Sequence, residues 1–280
     1  MQNNLFTKQT EQTLMQKMEK ECLVDTSLKM EYPPVALSLG KKLIQTKTEN
    51  IILPIPIGTY GNFSFVQAPP KTKKTFFISL LSSVYLSGSN SFGGDIKGHR
   101  TNECLLHIDT EQGKWHAQRV FKRAIEMSTI DSTQCYYTFA LRQVSFKKRI
   151  EFIEYLLKDR IKNTGLMIID GIADLVSDVN NLEESNACIQ KLMEWSAIYK
   201  CHIITVIHSN FGSDKPTGHL GSFLEKKAET QIQLEANTVN KQWVTVKCKR
   251  SRGYAFETFS FKVNDLGYPE VIGNLYDPLD

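Results

Sequence analysis

The chain has 280 residues, 41% of them hydrophobic and 23% charged, an ordinary globular composition with length for one large or two small domains. No apolar run reaches the ~18 residues of a membrane span, and Met1-Gln2-Asn3-Asn4 lacks the regions of a signal peptide, so a cytoplasmic location and no membrane partner are expected. Cys22, Cys104, Cys135, Cys188, Cys201 and Cys248 form no close pairs, which argues for reduced thiols and against a zinc site, and a net charge of +4 does not by itself imply a nucleic-acid partner.

Residues 1–30 are polar with an intermittent apolar stripe, Leu14, Met18, Cys22 and Leu23, which reads as an amphipathic arm or helix. Tyr32-Pro33-Pro34 ends it, dividing the chain into a helical arm over 1–34 and a main domain over 35–280. Residues 35–62 mix short β-like runs with Pro54, Pro56, Gly58 and Gly61. From Phe63 the pattern becomes regular. A strand over Phe63–Gln67 leads through a tight loop to a helix from about Thr75 to Leu86, and the Gly/Ser-rich stretch 87–100 reads as loop. A strand over Glu103–Asp109 precedes a helix over about Trp115–Met127. A strand over Tyr136–Leu141 precedes a helix over Phe146–Arg160. Gly165–Asp170 is an apolar strand ending in an acid, Leu182–Tyr199 a helix, and His202–His208 another apolar strand.

Strands without polar alternation, separated by helices, predict parallel βαβ units with both sheet faces covered. After residue 229 only strands are expected, over Thr230–Leu234, Trp243–Lys249, Phe256–Val263 and Glu270–Ile272. The fold class is therefore α/β, a mostly parallel doubly wound sheet with a C-terminal antiparallel β extension.

The loop after the first regular strand is Ala68-Pro69-Pro70-Lys71-Thr72-Lys73-Lys74-Thr75. A strand, a tight loop and Lys-Thr opening a helix is the layout of a nucleotide phosphate-binding loop. Backbone N–H groups wrap the phosphates, the lysine reaches them, and the last hydroxyl binds Mg²⁺. Ala68 and Lys73 stand at the two glycine positions of G-x-x-x-x-G-K-[ST]. Lys74 and Thr75 are the expected phosphate and Mg²⁺ contacts of a nucleotide site. Asp170, ending an apolar strand, is placed to hold Mg²⁺. Glu111, after the strand ending at Asp109, is placed to activate water, with Asp109 as the alternative. His208, ending its strand, is placed to sense the γ-phosphate. The stretch 211–222 reads as a long glycine-bearing loop suited to substrate contact. Lys247, Lys249, Arg250 and Arg252 supply either a cation acting across a subunit interface, or contacts to nucleic-acid phosphates, or a solvated edge.

Lys74-Thr75, Asp109-Thr110-Glu111, Gly165–Asp170 and His208 occur in the order and spacing of RecA-like P-loop ATPases, and the chain resembles that family over about 35–272. Within it the resemblance is to the RepA-type plasmid helicase, the DnaB-type helicases and the RepA-like ATPases of Bacteroides-type mobile elements. Gly61-Asn62-Phe63-Ser64, and Gly218-His219-Leu220-Gly221-Ser222 followed by Glu225-Lys226-Lys227-Ala228-Glu229, resemble the last group. The resemblance implies a sensor strand between the P-loop strand and the Asp170 strand. It also implies a homo-oligomeric ring, possibly hexameric, or a filament, with ATP between subunits. Relatives carry Lys-x-Arg-x-Gly at the trans-acting strand end, where this chain has Lys249-Arg250-Ser251-Arg252-Gly253. The implied activity is a replication or mobilisation helicase on single-stranded DNA, with a primase or other replication partner. The alternative is a nucleotide-dependent switch without unwinding activity.

Overall fold

The computed structural model describes residues 13–45, 49–88, 94–128, 135–210, 213–237 and 240–272. Residues 1–12 of the expected arm, 89–93 of the Gly/Ser-rich stretch and Phe211-Gly212 of the expected loop lie outside the described residues. In chain order the elements are α1 (13–22), β1 (Val35–Gln45), β2 (Asn50–Thr59), β3 (Phe63–Ala68), α2 (Lys74–Ser87), β4 (Ile96–Gly98), β5 (Cys104–Asp109), α3 (Lys114–Met127), β6 (Tyr136–Ala140), α4 (Phe146–Tyr155), β7 (Thr164–Asp170), α5 (Leu182–Tyr199), β8 (His202–His208), α6 (Gly218–Lys227), β9 (Thr230–Ala236), β10 (Val244–Ser251), β11 (Phe259–Val263) and β12 (Pro269–Ile272). Two compact units result, Met1–Tyr32 and Pro33–Asp280. In the first, α1 carries Leu14 and Met18, both about half exposed.

In the second unit the main sheet runs β12-β11-β10-β9-β3-β8-β7-β5-β6. From β9 to β6 every pairing is parallel. β10, β11 and β12 add antiparallel strands at one edge. Successive side chains of a strand face opposite ways, and here both directions end in helices. Val66, Ala68, Leu166, Ile168, Ile204 and Val206 pack with Phe77, Leu81 and Tyr85 of α2 and Phe121 of α3. Their neighbours Phe65, Met167, Ile169 and Ile203 pack with Ile153 of α4, Leu192 and Trp195 of α5, and Leu224 of α6. Each fully buried aliphatic or aromatic side chain contributes about 1.5–3 kcal/mol, which is why both faces of these strands are mostly apolar. The order β3-β8-β7 sets the strand ending in His208 between the phosphate-loop strand and the strand ending in Asp170.

Three expectations are corrected. The stretch 87–100 is not all loop: Ile96–Gly98 forms β4, which pairs with β1 in a second sheet ordered β2-β1-β4. Gly98 is there for packing, because a Cβ would lie 2.4 Å from the Val84 carbonyl oxygen of α2. Residues 218–222 are helix rather than loop, since α6 begins at Gly218. Leu220 and Leu224, one turn apart, are fully buried, and that periodicity outweighs the glycines. The expected helix over 146–160 is α-helical to Tyr155 and closes in a π turn over Leu156–Arg160.

Candidate functional site

The loop between β3 and α2 keeps a glycine-type backbone without glycine. Lys71 and Lys73 have φ of 64° and 58°, a left-handed conformation costing a non-glycine residue about 1–2 kcal/mol. Thr72 closes the loop by donating from Oγ1 to the Pro69 carbonyl at 2.7 Å. The N-terminus of α2 has no side-chain cap and no acid in its first turn. Its free N–H groups and the positive end of the helix dipole therefore remain open to an anion. Lys74 is half-buried. Its ammonium curls back onto the Pro69 carbonyl and onto His208 Nδ1, each at 3.2 Å.

Around that ammonium stand the strand ends. Asp109 and Asp170 are register partners on β5 and β7, and Ala68 and His208 on β3 and β8. Beyond the Nδ1 contact with Lys74, the other ring nitrogen of His208, Nε2, lies 3.6 Å from Glu111 Oε1. Contact with the His208 ring holds the Glu111 carboxyl below its usual range despite burial, and Lys74 adds to this. Burial pulls the Lys74 ammonium down, while Glu111 and Asp170 push it back up.

Asp170 is 3% exposed, and its Oδ2 has no hydrogen-bond partner. Burial, with the neighbouring Asp109 and Glu111 charges, raises its pKa to about 8. A buried carboxylate with an orphaned oxygen beside two further acids is what a divalent cation relieves. No group of three metal-ligating side chains exists among the described residues. Mg²⁺ takes one or two protein ligands and completes its shell with phosphates and water. Thr75 and Asp170 fit such a site.

Asp109 is occupied otherwise. It accepts from the Glu111 and Gln112 backbone N–H groups at 3.0 and 2.8 Å, and from Gln112 Nε2 at 2.9 Å. It fixes the turn that carries Glu111. Thr110 ties that turn to β7, donating from Oγ1 to the Asp170 and Gly171 carbonyls at 3.0 and 2.8 Å. Gly171 is needed there. Its φ is 106°, and a Cβ would meet Thr110 Oγ1 at 2.3 Å and Glu111 Cγ at 2.8 Å.

The structure thus brings Lys73, Lys74, Thr75, Glu111, Asp170 and His208 to one end of the parallel sheet, and leaves Arg250 and Arg252 elsewhere. Arg250 is the register partner of Gln231, and Gln231 of Phe65. That is about 10 Å from Ala68 toward the opposite end of the sheet. Arg252 donates to the Lys227 carbonyl at 2.7 Å, and Arg250 lies 4.0 Å from Glu225. Lys247 pairs with Glu235 at 2.6 Å, and Lys249 donates to the Asp214 carbonyl.

Three glutamines went unnoticed in the sequence. Gln67, fully buried, donates to Ser209 Oγ at 3.0 Å and the Asp214 carbonyl at 2.8 Å, and accepts from Gln231 at 2.8 Å. Gln233 reaches Asp214 at 3.3 Å. The alternation Gln231-Ile232-Gln233-Leu234 inside a buried strand was the available signal. This network, with the bonds from Thr217 N and Oγ1 to the His208 carbonyl at 3.0 and 2.8 Å, joins the end of β8 to the start of α6.

A parallel sheet with this loop after β3, an acid ending β7 and a polar residue ending the intervening β8 defines a RecA-like P-loop ATPase fold. Residues 55–214 match the AAA domain family, more than half of the chain, and the chain belongs to that family. Among solved structures, the flagellar accessory protein FlaH from Methanocaldococcus jannaschii superposes with a TM-score of 0.53. The match covers 76% of this chain and 90% of FlaH at 14% identity, a likeness of fold. A comparison with curated proteins gives no match. No helix among the described residues is long and apolar enough to cross a membrane.

Proposed function

We propose that the protein is a Mg²⁺-dependent ATPase that works as an oligomeric motor on single-stranded DNA, the replication or mobilisation helicase of a mobile element. The observation that carries the ATPase reading is Asp170, buried with an unpartnered oxygen beside a lysine held only by a carbonyl and an imidazole. In this reading the α2 N-terminus and Lys74 bind the β- and γ-phosphates, and Thr75 and Asp170 hold Mg²⁺. The ion would supply charge neutralisation on the phosphate oxygens. Glu111, kept ionised by His208 and Lys74, takes the proton of the attacking water. A γ-phosphate drawing Lys74 away from His208 frees the ring to report through its carbonyl to Thr217 and α6. Arg250 or Arg252 acts on a neighbouring subunit's nucleotide, which their distance from their own loop supports.

A switch that binds nucleotide without unwinding is the second reading, favoured by the shared fold of a protein described as a flagellar accessory protein. ATP turnover on a sized sample, with and without Mg²⁺ and single-stranded DNA, separates the two. Mg²⁺-dependent turnover stimulated by DNA supports the motor. Tight ATP binding with no turnover under any condition refutes it.

A further inference from the structure

Beyond the turn that carries Glu111, the chain enters α3 with a run of unneutralised cations. Lys114, Arg119 and Lys122 are exposed, and none has an ion-pair partner among the described residues. Trp115 lies among them with 63% of its surface exposed. Spacings of four and three residues set Trp115, Arg119 and Lys122 on one face of the helix. The Arg119 guanidinium sits over the Trp115 ring, 5.1 Å from its centre. The stripe ends at Glu126, which accepts from Tyr268. The exposure excludes a core role for Trp115, and His116 meets the same ring edge-on at 4.8 Å.

The start of the same helix borders a cleft of about 280 Å³ lined by Gln112, Gly113, Lys114, Ala140, Arg142 and Gln143. Gly113 gives α3 no side-chain cap, and the first turn holds no acid. Arg142 and Gln143 are exposed at the end of β6. The face therefore combines cations able to track a phosphate backbone, amide groups able to meet base edges, and a ring over which a base can stack. A duplex would satisfy the cations but hides its base faces. A single-stranded nucleic acid satisfies both the cations and the ring.

We propose that the exposed face of α3, with Trp115, Arg119 and Lys122, and the adjoining cleft with Lys114, Arg142 and Gln143, bind single-stranded nucleic acid, with Trp115 stacking on a base. The proposal deepens the reading of the chain as a DNA-acting ATPase, and it moves the nucleic-acid contact from the β8–α6 connection to α3. It also gives that contact a route to the chemistry. Gln112 lines the cleft while both its backbone and its amide are bonded to Asp109, in the turn that holds Glu111.

The test is fluorescence anisotropy of labelled oligo-dT and oligo-U of roughly 20 nucleotides, enough to span one such site. The wild-type protein, W115A, W115F and R119A/K122A are titrated between about 50 and 200 mM salt. W115A weakens binding about tenfold or more, and W115F restores most of it, because any aromatic face stacks. R119A/K122A flattens the slope of log affinity against log salt by about 1.4, since each lost single-strand phosphate contact removes about 0.7. All variants keep wild-type affinity for an ATP analogue. Preference for dT or U identifies the nucleic acid. Wild-type affinity in both W115A and R119A/K122A overturns the proposal. So does a wild-type protein that turns over ATP but binds neither oligonucleotide, an outcome that leaves the ATPase reading intact. A change of sedimenting mass in W115A with unchanged oligonucleotide affinity assigns the face to contacts between copies and likewise overturns it. Loss of oligonucleotide binding in W115A by a protein that binds no ATP supports the surface and defeats the ATPase reading.

Discussion

Gly171→Ala tests whether the Glu111 turn is held in place by its contact with β7. The added methyl would lie 2.3 Å from Thr110 Oγ1 and 2.8 Å from Glu111 Cγ, where ordinary contact begins near 3.4 Å. The turn must therefore retreat by about 1 Å, close to the scale at which a misplaced catalytic group loses about 10²-fold in rate. Retreat also strains or breaks the two bonds from Thr110 Oγ1 to the Asp170 and Gly171 carbonyls, each worth about 0.5–1.5 kcal/mol. Alanine at φ 106° adds about 1–3 kcal/mol of backbone strain. The sum is about 2–6 kcal/mol of destabilisation, readable as a lower midpoint in urea. Lys74, Thr75 and the N-terminus of α2 lie on other elements, so nucleotide affinity should stay within a few fold. Turnover should fall about 10²-fold, followed as phosphate release at saturating ATP and at a temperature where the variant is folded. A variant as stable as wild type would refute the close-approach argument. A folded, destabilised variant with undiminished turnover would refute the placement of Glu111 in the chemistry.

Lys74→Ala should abolish binding of an ATP analogue in calorimetry while leaving the far-ultraviolet spectrum unchanged, because the side chain's hydrogen bonds go to Pro69 and His208 at the sheet end rather than to the core; wild-type affinity would refute the phosphate-loop assignment. Glu111→Gln should bind the analogue normally and lose about 10²-fold or more in turnover, since an amide accepts no proton; unchanged turnover would pass the role to another acid. Arg250→Ala or Arg252→Ala should stop turnover without weakening nucleotide binding, and mixing that variant with Lys74→Ala should restore some activity if the cation acts across an interface. His107 is fully buried, and burial lowers its pKa from 6.5 to about 3, so the native state holds it neutral. Its contribution to stability is complete above about pH 6.5 and is lost as pH falls toward about 3, at up to about 1.4 kcal/mol per pH unit. Urea midpoints between those limits should fall less in His107→Gln than in wild type, and parallel losses would clear His107.

The α/β sheet was legible because its signal is local. Leu166–Ile169 is apolar at every position and Ile203–Ile207 at all but Thr205, and only a strand covered on both faces needs that. The β3-β8-β7 order was implied by the family resemblance and not by any spacing, since adjacency across a sheet is a property of crossovers. What escaped the reading was non-local. β4 is three residues long and exists because Gly98 can lie against α2, which no window of sequence displays. The glutamines of β3 and β9 are ordinary polar residues until Gln67, Ser209, Asp214 and Gln231 are brought together from opposite ends of the domain. The exposure of Trp115 is likewise not local, since it depends on which elements leave the start of α3 uncovered.

The phosphate loop shows how residue type and conformation can part. A pattern that asks for glycine before Lys74 is asking for a left-handed backbone, and Lys73 adopts one, φ 58° and ψ 32°. The strain of about 1–2 kcal/mol is set against a charge-assisted bond from Lys73 Nζ to the Gln242 carbonyl at 2.5 Å. That bond spans from the loop to the β9–β10 connection. Lys249 of β10 meanwhile reaches Asp214, on the segment that follows His208. Both lysines tie the antiparallel side of the sheet to the two segments that follow β3 and β8. A glycine at 73 would relax the loop and sever the first of these ties. The lysine therefore couples the phosphate loop to the antiparallel edge, the same edge that carries Arg250 and Arg252.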